Sequence, residues 1–138
     1  MLCLALHAAS RAMTSRYRAS LKPFGLTYPQ YLVLQVLQQD GPSSLVAVGT
    51  ELRLESSTLS PLVRRLETLN LVTRARSAED ERAVVVELTA PGIALCERMR
   101  VVPPEMSVAT GLEPAEQAAL MDQLHRLERN LRDGSTAT

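Results

Sequence analysis

Two thiols, two imidazoles and a set of arginines are the side chains of this sequence that could do chemistry. Cys3 opens an apolar stretch, Leu2-Cys3-Leu4-Ala5-Leu6, and His7 follows four residues later. On a helix that spacing puts thiol and imidazole on one face, near an N-terminus that favours negative charge. A thiolate with a donor or cation beside it is the form that peroxides oxidise. The same residues fit a simpler account, a structural cysteine packed among Leu2, Leu4 and Leu6, and the residues alone leave both open. Cys96 shares a helical face with Leu95 and Met99 and reads as packing, and His125 as a surface or interface residue. The spacing of His, Cys and acids suits no metal, so neither a metal, a cofactor nor a catalytic set is assigned.

A second chemistry concerns phosphates and base edges. Leu59, Leu62, Val63, Leu66 and Leu69 recur at three- and four-residue spacing, the apolar back of a helix. Ser57, Thr58, Ser60, Arg64 and Arg65 lie off that stripe, as a helix entering a major groove requires. Beyond it, Arg74 and Arg76 are expected to meet phosphate, and Arg82 to reach a minor groove, whose negative potential favours arginine. Asp80 is expected to orient Arg82 or Arg76. A solvated charged face would explain any one of these arginines better than it explains the set.

The elements that must hold these groups follow from pattern. Residues 2–22 have no internal Gly or Pro and read as one long helix ended by Pro23 and Gly25. Thr27 and Gln30 form a capping-box pair, with Pro29 in the first turn of a helix to about Gln39. Ser43 or Ser44 caps a short helix, and Leu54-Glu55-Ser56-Ser57-Thr58 is a polar corner before the helix just described, which Asn70 stops. Two short helices about a tight corner are a helix-turn-helix signature. The period then changes: runs 71–76 and 83–88 are β-rich around a polar segment and predict a hairpin. Thr89 caps a helix to about Val101, Pro103-Pro104 breaks it, and Glu113-Pro114 opens a last helix to about Arg132.

A mostly α fold with a small β-hairpin wing is therefore expected, a winged helix-turn-helix over 27–89. The N-terminal helix, 1–22, and the C-terminal helices, 90–132, would serve dimerisation, and 133–138 would be a disordered tail. Their amphipathic faces exceed what so small a core can cover, so a homodimer is expected.

Composition narrows the partners. The chain has 138 residues, 46% of them hydrophobic, enough to bury a core. Its formal net charge of +0 hides an asymmetry. Arg11, Arg16, Arg18 and Lys22 stand in 1–39 without an acid, while 105–138 carries more acids than bases. A neutral chain can still present a basic face to phosphate. Two cysteines are too few for a secreted disulfide framework, and the apolar start is too short for a bilayer and lacks a signal peptide's charged beginning. A cytoplasmic protein with no membrane partner is expected.

The element order and the wing ending Asp80-Glu81-Arg82 resemble the MarR family of winged-helix regulators. Leu2-Cys3-Leu4-Ala5-Leu6, Ala9-Ser10-Arg11-Ala12-Met13-Thr14, Leu26-Thr27-Tyr28-Pro29-Gln30-Tyr31-Leu32-Val33-Leu34 and Arg76-Ser77-Ala78-Glu79-Asp80-Glu81-Arg82 are similar to its organic hydroperoxide resistance branch, the OhrR-type repressors. The similarity runs to about residue 130. It implies a dimeric repressor that leaves double-stranded operator DNA when an organic hydroperoxide oxidises a cysteine early in the first helix, here Cys3. It further implies that Tyr17 and Tyr28 hydrogen-bond the thiolate, while His7 replaces a third tyrosine. The resolving cysteine of some members has no match near Val108, and Cys96 is a poor one, so a mixed disulfide with a small thiol, or over-oxidation, would follow.

One spacing adds a constraint. Fourteen residues separate Cys3 from Tyr17, about 21 Å along a straight helix. If the two meet, they belong to different subunits. The rival readings are a MarR-type regulator with a reversibly bound apolar or phenolic ligand, a winged helix that binds protein only, and a thiol peroxidase.

Overall fold

An unbroken run rich in Ala, Leu, Met and Arg forms helix α1, Leu2–Leu21, in a computed structural model that describes residues 1–134. A single 3-10 turn, Lys22–Phe24, closes on Gly25, whose φ of 68° ends the helical path. Helix α2, Tyr28–Asp40, starts at the expected capping box: Gln30 N–H donates to Thr27 Oγ1 at 3.3 Å, and Thr27 N–H to Gln30 Oε1 at 3.0 Å. Strand β1, Ser43–Ser44, leads into helix α3, Leu45–Leu52, which Ser44 caps by accepting from Ala47 N–H at 3.0 Å. Helix α4 is Ser56–Thr68, followed by strands β2, Val72–Arg76, and β3, Val84–Leu88. Helix α5, Ala90–Arg98, follows Thr89 as cap; a 3-10 turn leads to helix α6, Val102–Ala109, and helix α7 is Pro114–Arg132.

The expected fold class holds: a mostly helical winged helix-turn-helix. Three local expectations change. The helix-turn-helix corner is Arg53–Glu55, with Arg53 left-handed at φ 56°, so Ser56, Ser57 and Thr58 form the first turn of α4. Serine and threonine suit a corner and a helix start equally, and the pattern does not separate them. The hairpin gains a third strand, because β1 pairs antiparallel with β3 at Ser43↔Val86 and Ser44↔Val85. Two residues are too few to show alternation. Pro103 and Pro104 do not break the helical run but open α6, where the missing N–H groups have no intrahelical partner to lose.

Met1–Val102 forms one compact unit and the chain from Pro103 a second. The first has a core of Leu21, Val33, Leu34, Val48, Leu59, Val63, Leu66 and Val86, each fully buried. Leu59, Val63 and Leu66 are the back of α4, as the periodicity predicts, so its other face points outward. The α3–α4 corner is close: a Cβ on Gly49 would lie 2.8 Å from the Leu54 carbonyl oxygen. In contrast, α1 buries only Leu21, leaving Leu2 at 64% and Leu4 at 62% exposure. In the second unit Gln117 Nε2 donates to Ser107 Oγ and to the Leu112 carbonyl, each at 2.8 Å, fastening the end of α6 to α7. No residue of α7 is buried, and Leu120, Met121, Leu124 and Leu131 are exposed. Asp133 caps α7, and the rest of the expected disordered tail, 135–138, lies outside the described residues.

Candidate nucleic-acid interface and thiol site

Helix α4 and the hairpin present the expected reading groups. Ser57, Thr58, Arg64 and Arg65 are exposed and Ser60 is half-buried. Among the described residues, the guanidinium groups of Arg64, Arg65 and Arg82 have no protein partner, so they are available to an anion. Arg74 and Arg76, expected on phosphate, are engaged within the protein. Arg74 donates from Nε at 3.3 Å and Nη2 at 3.1 Å to Glu67 Oε1, and Arg76 Nη1 donates to the Glu81 carbonyl at 3.2 Å.

The wing tip is built by its own backbone. Ser77 N–H donates to the Ala83 carbonyl at 2.8 Å, and Ala83 N–H to the Asp80 carbonyl at 3.0 Å. Asp80 Oδ1 accepts from the backbone N–H of Arg82 at 3.0 Å and thus shapes the turn that carries Arg82 rather than gripping its guanidinium. With Arg76 beneath and Asp80 alongside, Arg82 stands exposed at the tip.

The two thiols differ in the ways that decide reactivity. Cys96 is buried, its Sγ 4.0 Å from the Leu34 carbonyl oxygen. Burial, with the Glu97 carboxylate beside it, pushes the Cys96 thiol upward, so it stays protonated and inert. Cys3 is exposed. On α1, Cys3, His7, Ser10, Thr14 and Tyr17 recur at intervals of four and three along one face. Within that chain Tyr17 remains four turns from Cys3, about 21 Å by helical rise.

Tyr17 stacks on Tyr28 with ring centroids 4.6 Å apart and leans on Tyr31 at 5.5 Å. Burial raises the ionisation of Tyr17 and Tyr28, and that of Tyr31 to about 12, so all three hydroxyls remain protonated at neutral pH. Tyr31 is the member of this cluster to which the sequence analysis gives no role of its own. Its spacing of three from Tyr28, on one face of α2, was the available signal. Glu67 was also passed over, since nothing in a helical pattern announces a partner across the next strand. Among the described residues, no group of His, Cys and acids could hold a metal, and no helix is long and apolar enough to cross a membrane.

This architecture has known relatives. The family model described as transcriptional regulator SarA/Rot matches residues 15–99. The chain is 42% identical over 98% of its length to the HTH-type transcriptional regulator TtmR of Methylorubrum extorquens, covering 70% of that protein. It is also 42% identical to the organic hydroperoxide resistance transcriptional regulator of Bacillus subtilis, over 74% of this chain and 69% of that one. Among solved structures, reduced AbfR bound to DNA superposes with a TM-score of 0.75 at 32% identity, covering 94% of this chain and 91% of that one. The chain belongs to the MarR/SarA type of winged-helix, DNA-binding transcriptional regulators. Its relatives by sequence and by structure are regulators and not enzymes.

Proposed function

We propose that this regulator is a repressor of peroxide-defence genes, that it holds double-stranded operator DNA as a homodimer, and that organic hydroperoxide releases it by oxidising Cys3. The observation that carries the reading is the contrast between the thiols: Cys3 is exposed at the start of α1 with His7 one turn on, and Cys96 is sealed in the core. The relative from Bacillus subtilis, named for organic hydroperoxide resistance, supports the choice of oxidant. The uncovered apolar faces of α1 and α7 favour association of two copies.

The chemistry is a displacement on oxygen. The Cys3 thiolate attacks a peroxide oxygen; the S–O bond forms as the O–O bond breaks, and the alkoxide takes a proton and leaves as the alcohol. The sulfur loses two electrons, giving sulfenic acid, and the peroxide gains them. His7 at i+4, together with Tyr17 and Tyr28 of the other subunit, would donate to the thiolate. Without a matched resolving cysteine, a small thiol then condenses with the sulfenic acid, releasing water and leaving a mixed disulfide. Lost donors and added bulk at the interface shift the dimer to a state that fits the operator poorly.

The test is Cys3→Ser, read by fluorescence anisotropy on labelled operator DNA. The variant should bind as the native chain does and stay bound when cumene hydroperoxide is added. Normal release from the serine variant would end the redox reading and favour a reversibly bound apolar or phenolic ligand. Steady peroxide turnover with a thiol reductant would instead favour a peroxidase.

A further inference from the structure

We propose that Glu67 is a positioning residue for DNA binding: through Arg74 it fixes the wing against the recognition helix, so that both meet the duplex together. The inference rests on the DNA-binding reading of α4 and the wing. Glu67 lies in the last turn of α4, and Arg74 is the middle residue of β2. One carboxylate oxygen takes both the Nε and the Nη2 donors of the same guanidinium, which holds that side chain in one orientation.

Between these residues the chain turns sharply. Asn70 is left-handed at φ 59°, and its N–H donates to the Glu67 carbonyl at 2.9 Å. Thr89 holds the same corner from the other side, its hydroxyl on the Asn70 carbonyl at 2.7 Å and its N–H on the Leu71 carbonyl at 3.0 Å. These bonds fix where β2 starts. Beyond the corner, the Glu67–Arg74 pair is a side-chain link between α4 and the hairpin, and it sits partway along the lever. From Asn70 to Arg76 the strand runs about 20 Å at about 3.3 Å per residue, so a swing of about 10° moves its far end about 3.5 Å. A displacement of that size takes Arg82 out of hydrogen-bond reach of its target.

The sign of the effect separates this role from a bystander's. Glu67 is an acid at the edge of the reading face, its side chain 40% exposed beside Arg74 at 29%. If it only repelled phosphate, Glu67→Gln would tighten binding, and Arg74, once freed, would add a phosphate contact and steepen the salt dependence. As a positioning residue, its loss must weaken binding. An exposed pair of this kind, broken in both subunits, predicts a loss of about threefold to tenfold. The slope of log affinity against log salt should stay as in the native chain, since no phosphate contact is made or lost directly.

The experiment uses the full chain and a fluorescent duplex selected from a random pool by the native protein. Glu67→Gln, Arg82→Ala and the double variant are titrated at several salt concentrations, and circular dichroism confirms that each is folded. The expected result is weaker binding by Glu67→Gln, an unchanged salt slope, and little further loss when Arg82→Ala is already present. Equal or tighter binding by Glu67→Gln, or the same loss with and without Arg82, would overturn the proposal. An Arg82→Ala variant that binds normally would overturn it too, since the wing would then have nothing to place. A native chain that selects no duplex would sink the DNA reading itself, a distinct failure.

Discussion

If Tyr17 donates to the Cys3 thiolate, it does so from the other subunit. Both lie on α1, about 21 Å apart by helical rise, and a tyrosine side chain spans only a third of that distance. The prediction concerns a mixture. Chains carrying Cys3→Ser keep their tyrosines, and chains carrying Tyr17→Phe with Tyr28→Phe keep their thiol. Neither homodimer has an intact site. Equal parts, unfolded together and refolded, should give about half heterodimers by random pairing in a two-fold assembly. In each heterodimer the one remaining thiol faces one intact tyrosine pair. These thiols make up about half of all Cys3 in the sample, because the other half sit in tyrosine-deficient homodimers. Rapid-quench oxidation by excess cumene hydroperoxide, with the remaining thiol alkylated and read by mass spectrometry, should therefore be biphasic. About half of the thiol should react at the native rate and the rest at the slow rate of the tyrosine variant. A single slow phase would refute the shared site.

Two further outcomes follow from packing and burial. A methyl group at Gly92 would stand 2.1 Å from the Leu71 carbonyl oxygen, which already accepts from Thr89 N–H at 3.0 Å. Gly92→Ala should thus cost about 3 kcal/mol and lower Tm by roughly 10 °C in a calorimetric scan, and an unchanged Tm would contradict the close approach. Tyr31 has its ionisation raised to about 12 by burial and by the phenolates of Tyr17 and Tyr28. The folded chain holds that proton more tightly than the unfolded chain does, so the contribution is present below pH 10 and lost as pH rises towards 12. Urea titrations across that window should show a fall on the order of 2 kcal/mol, reduced in Tyr31→Phe.

Most of the fold was legible because its signals are local. Thr27 with Gln30, Asn70, Thr89 and the change of period after Leu69 each mark a boundary by backbone chemistry within a few residues. The misplaced elements are those where the deciding interaction is distant or the residue type serves two roles. Strand β1 exists only because β3 lies beside it, and Pro103-Pro104 can stop one helix or start another. The site divides in the same way. An exposed face off an apolar stripe can be read from spacing, so the outward position of Ser57, Thr58, Arg64 and Arg65 is legible. Which arginine is already occupied depends on residues seven and five positions away across a turn. Glu67 on Arg74 and the Glu81 carbonyl on Arg76 therefore became visible only once the chain was folded.

The internal bonding of the first unit also limits how a signal at Cys3 can reach DNA. Tyr17 is stacked against α2, and Cys96 of α5 points its sulfur at the α2 backbone. Thr89 and Gly92, at the start of α5, close on the corner between α4 and β2 without space for a methyl group. From α1 through α2 and α5 to the reading head, each step is a hydrogen bond or a tight contact. Such a body resists local bending. If oxidation of Cys3 releases DNA as proposed, it would therefore act through the spacing of two heads in a dimer, and not through the shape of either head. Operator half-sites lie about 34 Å apart, so a rotation of about 10° at a radius of about 17 Å carries each head about 3 Å along or across the groove. That shift would be enough to break the hydrogen bonds to DNA proposed for Arg64, Arg65 and Arg82 while every bond within each subunit survives.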